Sequence, residues 1–365
     1  MERRLPLAVV VDVRWVSGLA AVRSLGRMGV QVIALAHRPG ALGFRSRYAR
    51  GLVCPDPAED EAGYVAFLAE LAGTLDAPVP VFPTHDEFLN AIARNLEAFE
   101  GRFLCPFPEW DLLGRIQDKR WQLERAHELG IPAPRTAEEP TEELSFPVLV
   151  KPAADPVGFR REFRRQAFRA ERPDELADAF ERARPYGPIV QELIPGGDDH
   201  LYTLGSYLDA RGEPLGLFSG RKLRQTPPGV GTCRVGEAVW VNEVVEQGLR
   251  YLRGLGFRGL SQVEFKLDPR DGRYKLLEIN PRLWQWHGLA AACGVDLTRI
   301  AYLDLVGEPP EAASMNGARR RWAITLLPGE RPVLVRPPYV EAVFARDDPR
   351  PALTNLGRVL RRALR

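Results

Sequence analysis

The stretch that decides the fold reads GLSQVEFKL at residues 259–267 and YKLLEINPR at residues 274–282. The turn-forming run DPRDG at residues 268–272 separates them, so we predict two neighbouring strands. Each strand carries a carboxylate, Glu264 on the first and Glu278 on the second. Because side chains alternate between the two faces of a strand, Glu278 and Asn280 point to the same side. Arg282 follows on the exit loop.

These polar groups indicate a nucleotide site. Carboxylate and amide oxygens are hard ligands that suit Mg²⁺ rather than Zn²⁺, and a guanidinium beside them suits a transferring phosphoryl group. The segment therefore predicts a nucleoside triphosphate site with one or two magnesium ions. The alternative is a surface hairpin with incidental charges. Apolar neighbours such as Val263 and Ile279 argue against it, because they indicate buried strands, and burying a carboxylate without a partner is costly.

The pattern E…E-x-N-P-R resembles the metal-binding strands of the ATP-grasp superfamily, which includes biotin carboxylase, carbamoyl phosphate synthetase and D-alanine–D-alanine ligase. The resemblance implies that Glu264, Glu278 and Asn280 bind Mg²⁺ or Mn²⁺, with Glu278 bridging two ions. It also implies that ATP is the nucleotide and that Arg282 stabilises a phosphoryl or acyl-phosphate intermediate.

Further segments resemble the superfamily in the expected order along the chain. The nucleotide contacts that this resemblance implies are Lys119, Lys151, Gln191, Glu192, Leu193, Ile194, Asp198 and Asp199. The two lysines would reach the phosphates, residues 191–194 would form the hinge strand at the adenine edge, and one aspartate would bind the ribose. Lys222 and Arg224, in the run RKLR at residues 221–224, would face the phosphates or the acyl phosphate. With Arg282 they are the implied catalytic residues.

One segment departs from the superfamily pattern. Many ATP-grasp enzymes have a glycine-rich loop after the second lysine, whose amides cover the phosphates. Residues 153–165 read AADPVGFRREFRR, which contains one glycine and four arginines. Two alternatives stay open: guanidinium contacts replace the amide contacts, or the loop closes only around a ligand.

The fold predicted for the whole chain is α/β, with an N-terminal doubly wound α/β lobe followed by a two-lobed ATP-grasp domain (α+β). Alternating apolar strands and helical patterns in the first hundred residues favour the doubly wound lobe. Its ligand edge would include residues 12–18, His37 and residues 84–87. The two histidines in this set, His37 and His85, could equally be structural. The predicted segments are 1–110 for the first lobe, 111–187 for the small ATP-grasp lobe, 188–310 for the nucleotide and metal lobe, and 311–365 for a C-terminal extension.

Composition excludes several classes of partner. The 365 residues carry a net charge of only +2, which gives no field of the kind that binds nucleic acid. The four cysteines are far apart and form no CxxC pair, so we expect free thiols and a cytoplasmic protein. No apolar run has the length of a membrane span or of a signal sequence. We therefore expect small-molecule partners, no nucleic acid and no membrane.

Within the superfamily the chain resembles D-aspartate ligase and related carboxylate–amine ligases, through the run WVSGL at residues 15–19 and the loop at residues 221–229. The implied function is an ATP-dependent, amide-forming ligase that acts through an acyl phosphate on an amino-acid-like substrate and releases ADP and phosphate. The alternatives are an ATP-grasp carboxylase or carbamoyl-phosphate-type enzyme with another acceptor, and a non-catalytic nucleotide-binding protein. His200 and His287 are the histidines nearest to the motifs and are candidates for the base that deprotonates the amine. His287 could equally serve only to pack against the neighbouring aromatic residues. The oligomeric state is left open, with a homodimer suggested by analogy.

Overall fold

Three β-sheets follow one another along the chain and surround one cleft. The computed structural model describes residues 5–141, 143–153, 156–229, 231–315, 317 and 319–363. The first sheet is parallel, the second is antiparallel and the third is mostly antiparallel. None of the helices within these ranges is both long and apolar enough to cross a bilayer.

The N-terminal lobe is a parallel sheet with helices. Its elements are β1 (Ala8–Val11), α1 (Val16–Arg27), β2 (Val32–Ala36), β3 (Ala49–Val53), α2 (Glu61–Gly73), β4 (Val79–Pro83), α3 (Asp86–Arg94), β5 (Phe103–Leu104) and α4 (Trp110–Gln117). The strand order β3-β2-β1-β4-β5 confirms the predicted doubly wound lobe. The continuous apolar runs of β1, β2 and β4 are fully buried, as expected for strands covered on both faces. The order reverses between β1 and β4, and ligands of such sheets bind at that switch point.

The middle lobe is a small antiparallel sheet. Its elements are α5 (Lys119–Glu128), β6 (Thr136–Ala137), β7 (Val148–Pro152), α6 (Pro156–Phe163), β8 (Phe168–Ala170), α7 (Pro173–Ala183) and β9 (Pro188–Glu192), with strand order β6-β9-β7-β8. Val148 and Val150 pack into the core against Phe180, so the alternation of β7 turns Lys151 to the opposite face. Part of the arginine-rich segment forms α6; its residues 154 and 155 lie outside the described residues.

The third sheet carries the paired strands that the sequence predicts. Its elements are β10 (Leu201–Leu208), β11 (Pro214–Thr226), β12 (Thr232–Ala238), α8 (Asn242–Gly254), β13 (Gly259–Leu267), β14 (Tyr274–Asn280), α9 (Gly288–Ala292), α10 (Leu297–Leu305), β15 (Ala313–Ser314), β16 (Arg321–Ala323), β17 (Tyr339–Glu341) and α11 (Arg350–Ala363). The order is β14-β13-β10-β11-β12-β16-β17, and β15 pairs with β11. Strands β13 and β14 form the predicted antiparallel pair.

The C-terminal segment packs on both larger lobes. Strands β16 and β17 extend the third sheet, and the turn before α11 reaches the N-terminal lobe. There Arg23 of α1 donates from Nε to Asp348 Oδ2 at 3.0 Å, and Ser46 Oγ donates to the same oxygen at 2.8 Å. Both charged side chains are almost fully buried. This ion pair therefore ties the end of the chain to the first lobe.

Candidate active site

The paired strands β13 and β14 bring the predicted metal ligands together. Their register sets Glu264 opposite Glu278 and Gln262 opposite Asn280. Side chains directly opposite each other on one face of a sheet are close neighbours. All four line a cleft of about 340 Å³, to which each of the three lobes contributes residues.

Three of the five lysines stand around these carboxylates. Lys222 on β11 places its Nζ 2.8 Å from Glu264 Oε1. Lys119, the first residue of α5, places its Nζ 3.2 Å from Glu278 Oε2. Lys151 on β7 donates from Nζ to Gln191 Oε1 at 2.7 Å, on the neighbouring strand β9. The cleft therefore concentrates positive charge from three separate elements on one acidic pair.

Electrostatics in the cleft differ between the two glutamates. Burial disfavours the charge on Glu278, but Lys119, Lys222 and Lys151 outweigh it and lower the pKa of that carboxyl to about 2. Burial raises the pKa of Glu264, and the charge of Glu278 adds to the rise, while Lys222 opposes it. Burial, followed by the charge of Lys119, lowers the pKa of Lys151 to about 8. The pKa of Glu264 is therefore raised while that of Glu278 is lowered, and Lys151 loses its proton more readily than an ordinary lysine.

The donor set fits a magnesium ion. Two facing carboxylates with an amide beside them offer only oxygen ligands, and Mg²⁺ is commonly held by one or two carboxylates together with substrate phosphates. Repulsion between Glu264 and Glu278 is the kind of strain that a divalent cation relieves. Among the described residues there is no group of three or more His, Cys, Asp or Glu side chains arranged for a metal. The fit is therefore to a cation shared with a phosphate rather than to an all-protein cage.

Arg282 joins this site to the N-terminal lobe. Its guanidinium donates to Asp86 Oδ1 at 2.6 Å and to Asp86 Oδ2 at 2.8 Å. It also donates to Asn280 Oδ1 at 3.2 Å. Burial opposes the charge on Asp86, but Arg282 outweighs it and holds the pKa of that carboxyl at about 2. The arginine is thus fixed between a predicted metal ligand and the first turn of α3.

The hinge segment lines the same cleft. Gln191, Glu192, Leu193 and Ile194 all contribute to its wall. The side chain of Glu192 is buried and accepts hydrogen bonds from the Arg135 backbone N–H at 2.8 Å and from Arg270 at 3.1 Å. Its carboxylate therefore anchors the segment, and contact with a nucleotide from this position would fall to the backbone.

Three residues that the sequence suggested lie outside the cleft lining. Asp198 accepts from the backbone N–H groups of Gln225 and Gly229 at 2.7 and 2.9 Å. Asp199 pairs with His200 at 3.0 Å. Arg224 is exposed on β11, beyond the irregularity that separates it from Lys222. Their roles at the ribose and at the acyl phosphate stay predictions.

The comparisons with known proteins agree with this geometry. A family model for the carbamoyl-phosphate synthase L chain ATP-binding domain matches residues 239–305. D-Aspartate ligase of Enterococcus faecium is 26% identical over 254 residues, which cover 64% of this chain and 60% of that relative. The matched part therefore spans less than two thirds of that relative's length.

Two solved structures share the fold. L-Amino acid ligase from Bacillus licheniformis superposes with a TM-score of 0.61 at 19% identity, covering 85% of this chain and 76% of that one. The biotin carboxylase domain dimer of Hydrogenobacter thermophilus 2-oxoglutarate carboxylase gives 0.64 at 17% identity, covering 86% and 72%. The chain therefore has the ATP-grasp fold that these neighbours share.

Sequence reasoning missed one residue of the ATP-grasp cleft, Gln262, and one contact, between Asp86 and Arg282. Gln262 donates to Glu264 Oε1 at 2.8 Å and faces Asn280. Its signal was available, because a residue two positions before Glu264 on a strand shares its face. Asp86 belonged to the predicted ligand edge, but nothing in the sequence paired it with Arg282, 196 positions away.

An aromatic wall closes one end of the ATP-grasp cleft. Trp284 and Trp286 are buried beside it, with ring centroids 6.4 Å apart. His287 packs edge-on against Trp284, and its Nε2 lies 3.0 Å from the carbonyl oxygen of Ser17. Burial lowers the pKa of His287. Of its two predicted roles, the contacts favour packing.

Proposed function

We propose that this protein is an ATP-dependent carboxylate–amine ligase that forms an amide through an acyl phosphate and releases ADP and phosphate. One observation carries the proposal. Lys119, Lys151, Lys222 and Arg282 converge from four separate elements on the facing pair Glu264 and Glu278. Phosphoryl transfer needs this kind of charge neutralisation and positioning more than it needs a protein nucleophile.

In the first step, the substrate carboxylate attacks the γ-phosphate of ATP. Lys119 and Lys151 bind the phosphate oxygens, and Arg282 stabilises the charge on the transferred group. Glu264, Glu278 and Asn280 would hold one or two Mg²⁺ or Mn²⁺ ions. Such an ion neutralises the negative charge of the phosphates when it is bound. When ATP enters, Lys119 and Lys222 exchange their carboxylate partners for phosphate oxygens.

In the second step, the amine attacks the acyl carbon and phosphate leaves. We expect Arg282 to stabilise this step as well, and its contacts with Asp86 and Asn280, which hold the guanidinium beside the N-terminal lobe, support that role. The adenine would lie against residues 191–194, and Asp198 or Asp199 would approach the ribose.

Amino acids are the substrate class that the relatives support. One relative is a D-aspartate ligase and one structural neighbour is an L-amino acid ligase. The domain divisions at residues 110, 187 and 310 remain part of the proposal. A homodimer is proposed by analogy with the neighbour that was solved as a dimer with MgADP. The four free cysteines support a reducing compartment such as the cytoplasm.

The test is ADP release from Mg-ATP across a panel of carboxylates and amines. The panel contains D-aspartate, the L-amino acids and short peptides, with bicarbonate alone as a separate arm, and mass spectrometry identifies the product. We expect ADP release that needs both a carboxylate and an amine, and a product lighter than the two substrates by one water. ADP release with bicarbonate alone would instead support the carboxylase or carbamoyl-phosphate reaction. No ADP release in any arm, despite bound ATP, would support the non-catalytic alternative.

A further inference from the structure

A histidine–aspartate pair lies at the switch point of the N-terminal sheet. His85 follows β4 and Asp12 follows β1, so the two neighbouring strands end side by side. His85 Nδ1 is 3.0 Å from Asp12 Oδ2. The imidazole lines the same cleft as the nucleotide residues, and 30% of its side chain is exposed, while Asp12 is fully buried.

The contacts of His85 define which ring nitrogen carries the hydrogen. Thr84 Oγ1 lies 3.2 Å from His85 Nδ1 and donates its hydrogen to the Asp12 carbonyl oxygen at 2.8 Å. Because that hydroxyl hydrogen is already used, both neighbours of Nδ1 are acceptors, and Nδ1 must be the donor. The Nε2 atom then has a lone pair, and none of the described residues hydrogen bonds to it.

Asp12 is held in this position at a conformational cost. Its φ angle is +62°, in the left-handed region that non-glycine residues rarely adopt. Arg14 fixes the carboxylate through two hydrogen bonds, from Nε at 2.6 Å and from Nη2 at 2.7 Å. Strained residues that their surroundings over-determine cluster at functional sites. The carboxylate is therefore built to orient the imidazole.

The pair is next to the group expected to handle the acyl phosphate. Asp86, which follows His85 directly, binds Arg282 with both carboxylate oxygens. A substrate that reached Arg282 from the N-terminal lobe would pass His85. The cleft thus has the phosphate-binding lysines at one part of its wall and an oriented imidazole at another.

The other histidines lack this combination; all five lie within the described residues. His37 is almost buried, and its Nε2 faces Arg14 Nη1 at 3.0 Å. His287 is buried against Ser17. His127 and His200 do not line the cleft. The sequence pointed to His200 and His287 as bases, and the geometry favours His85 instead.

We propose that His85 is the general base of the amide-forming step and that Asp12 is its positioning residue, an inference that rests on the proposed ligase function. The nitrogen lone pair of the amine attacks the acyl carbon, and the carbon–oxygen bond to phosphate breaks with its electron pair leaving on phosphate. The proton released by the nitrogen passes to His85 Nε2. The imidazolium is stabilised by Asp12 and returns its proton to solvent through its exposed edge.

Charged groups from several elements surround the His85 imidazole, and each of them can influence how the rate of amide formation depends on pH. Asp12 faces it from the β1 loop, and Arg14 contacts the same Asp12 carboxylate. From α3 and the β14 exit loop come Asp86 and the guanidinium of Arg282, and Arg160 of α6 lines the cleft beside them. Glu87 lies 3.6 Å from Arg160 Nη2. His37 and Asp56 form the outer edge of the cluster. None of these groups is a predicted metal ligand.

The test separates the two half-reactions in the full-length protein. Acyl-phosphate formation is followed with hydroxylamine as the trapping amine, because it is largely unprotonated at neutral pH and needs no base. Amide formation is followed with the amino-acid pair that gives ADP release in the panel. For His85→Gln we expect amide formation to fall by ~10²–10⁴-fold, with hydroxamate formation unchanged. The acid limb of the kcat/KM profile for amide formation should disappear in this variant.

Two further variants control the result. His127→Gln makes the same substitution on the exposed face of α5 and should leave both rates unchanged. Asp12→Asn suits the left-handed backbone but presents an amide to Nδ1; it should lower kcat of amide formation more than KM and keep hydroxamate formation. Equal loss of hydroxamate and amide in His85→Gln, or no loss of amide, would overturn the assignment of His85. Absence of both products with the unmodified protein would overturn the ligase function itself.

Discussion

Arg282 and Asp86 form a two-point ion pair across the cleft, with nitrogen–oxygen distances of 2.6 and 2.8 Å. Asp86 begins α3 of the N-terminal lobe, and Arg282 follows the strand that carries Glu278 and Asn280. The side chains are only 22% and 16% exposed, so water screens the pair weakly. The ion pair therefore joins the N-terminal lobe, which carries His85, to the strands that carry the predicted metal ligands, without a ligand.

The ion pair predicts strong coupling between its two residues. In a double-mutant cycle of Asp86→Asn and Arg282→Gln, we expect a coupling energy of ~1–3 kcal/mol, because each single change leaves the other charge without its partner. Urea unfolding of the four proteins measures the coupling. Strictly additive losses of stability would show that the lobes do not depend on this contact.

Replacing Glu278 tests the cation site. Glu278→Gln keeps the shape of the side chain but removes the charge that Lys119 contacts and that a divalent cation requires. We expect steady-state ADP release to fall at least ~100-fold, with little change in the far-ultraviolet circular dichroism. Glu124→Gln, on the exposed face of α5, is the matched control. If the Glu278→Gln protein released ADP at the normal rate, Glu278 would not be a metal ligand.

Lys151 predicts proton uptake when ATP binds. Burial and Lys119 lower the pKa of Lys151 to about 8, so the free protein has this lysine about half protonated at pH 8. The phosphates of ATP favour the charged form of Lys151 and raise its pKa. At pH 8, ATP binding should therefore be accompanied by the uptake of roughly half a proton. At pH 6 the lysine is already charged and the uptake should vanish.

Calorimetry in two buffers of different ionisation enthalpy measures this uptake. Lys151→Arg is the matched control, because a guanidinium stays charged at both pH values. Equal proton uptake by the variant and the unmodified protein would assign it to another group.

Gly205 packs directly against Trp284 of the aromatic wall, with no room for a larger side chain. A Cβ at this position would lie 2.0 Å from Cη2 of Trp284. Gly205→Ala should therefore destabilise the fold by ~1–3 kcal/mol, since the indole must move. Gly73→Ala at the end of α2 meets nothing within 4 Å and should be neutral or stabilise by ~0.5–1 kcal/mol. Urea unfolding, followed by tryptophan fluorescence, compares the stabilities of the two variants. Equal stabilities would show that the Trp284 indole does not pack against Gly205.

Most of the fold was predicted from patterns of residues close together in the sequence. The apolar runs at β1, β2 and β4 predicted a parallel sheet, and the turn between Leu267 and Tyr274 predicted the strand pair. Local periodicity was enough because each of these elements is set by neighbours within a few residues. The irregularity of β11 could not be read in this way, and it leaves Arg224 on the exposed side while Lys222 enters the cleft.

The amino-acid sequence by itself determined the acidic strand pair, the lysines at positions 119, 151 and 222, and the fold class, because the chemistry and spacing of these segments are local properties. Only the tertiary structure decided that Asp86 holds Arg282, that Glu192 anchors the hinge, and that His85 rather than His200 or His287 presents an oriented imidazole to the cleft. Each of these depends on side chains far apart in the chain. Such contacts follow from how the lobes pack, which no pattern of neighbouring residues encodes.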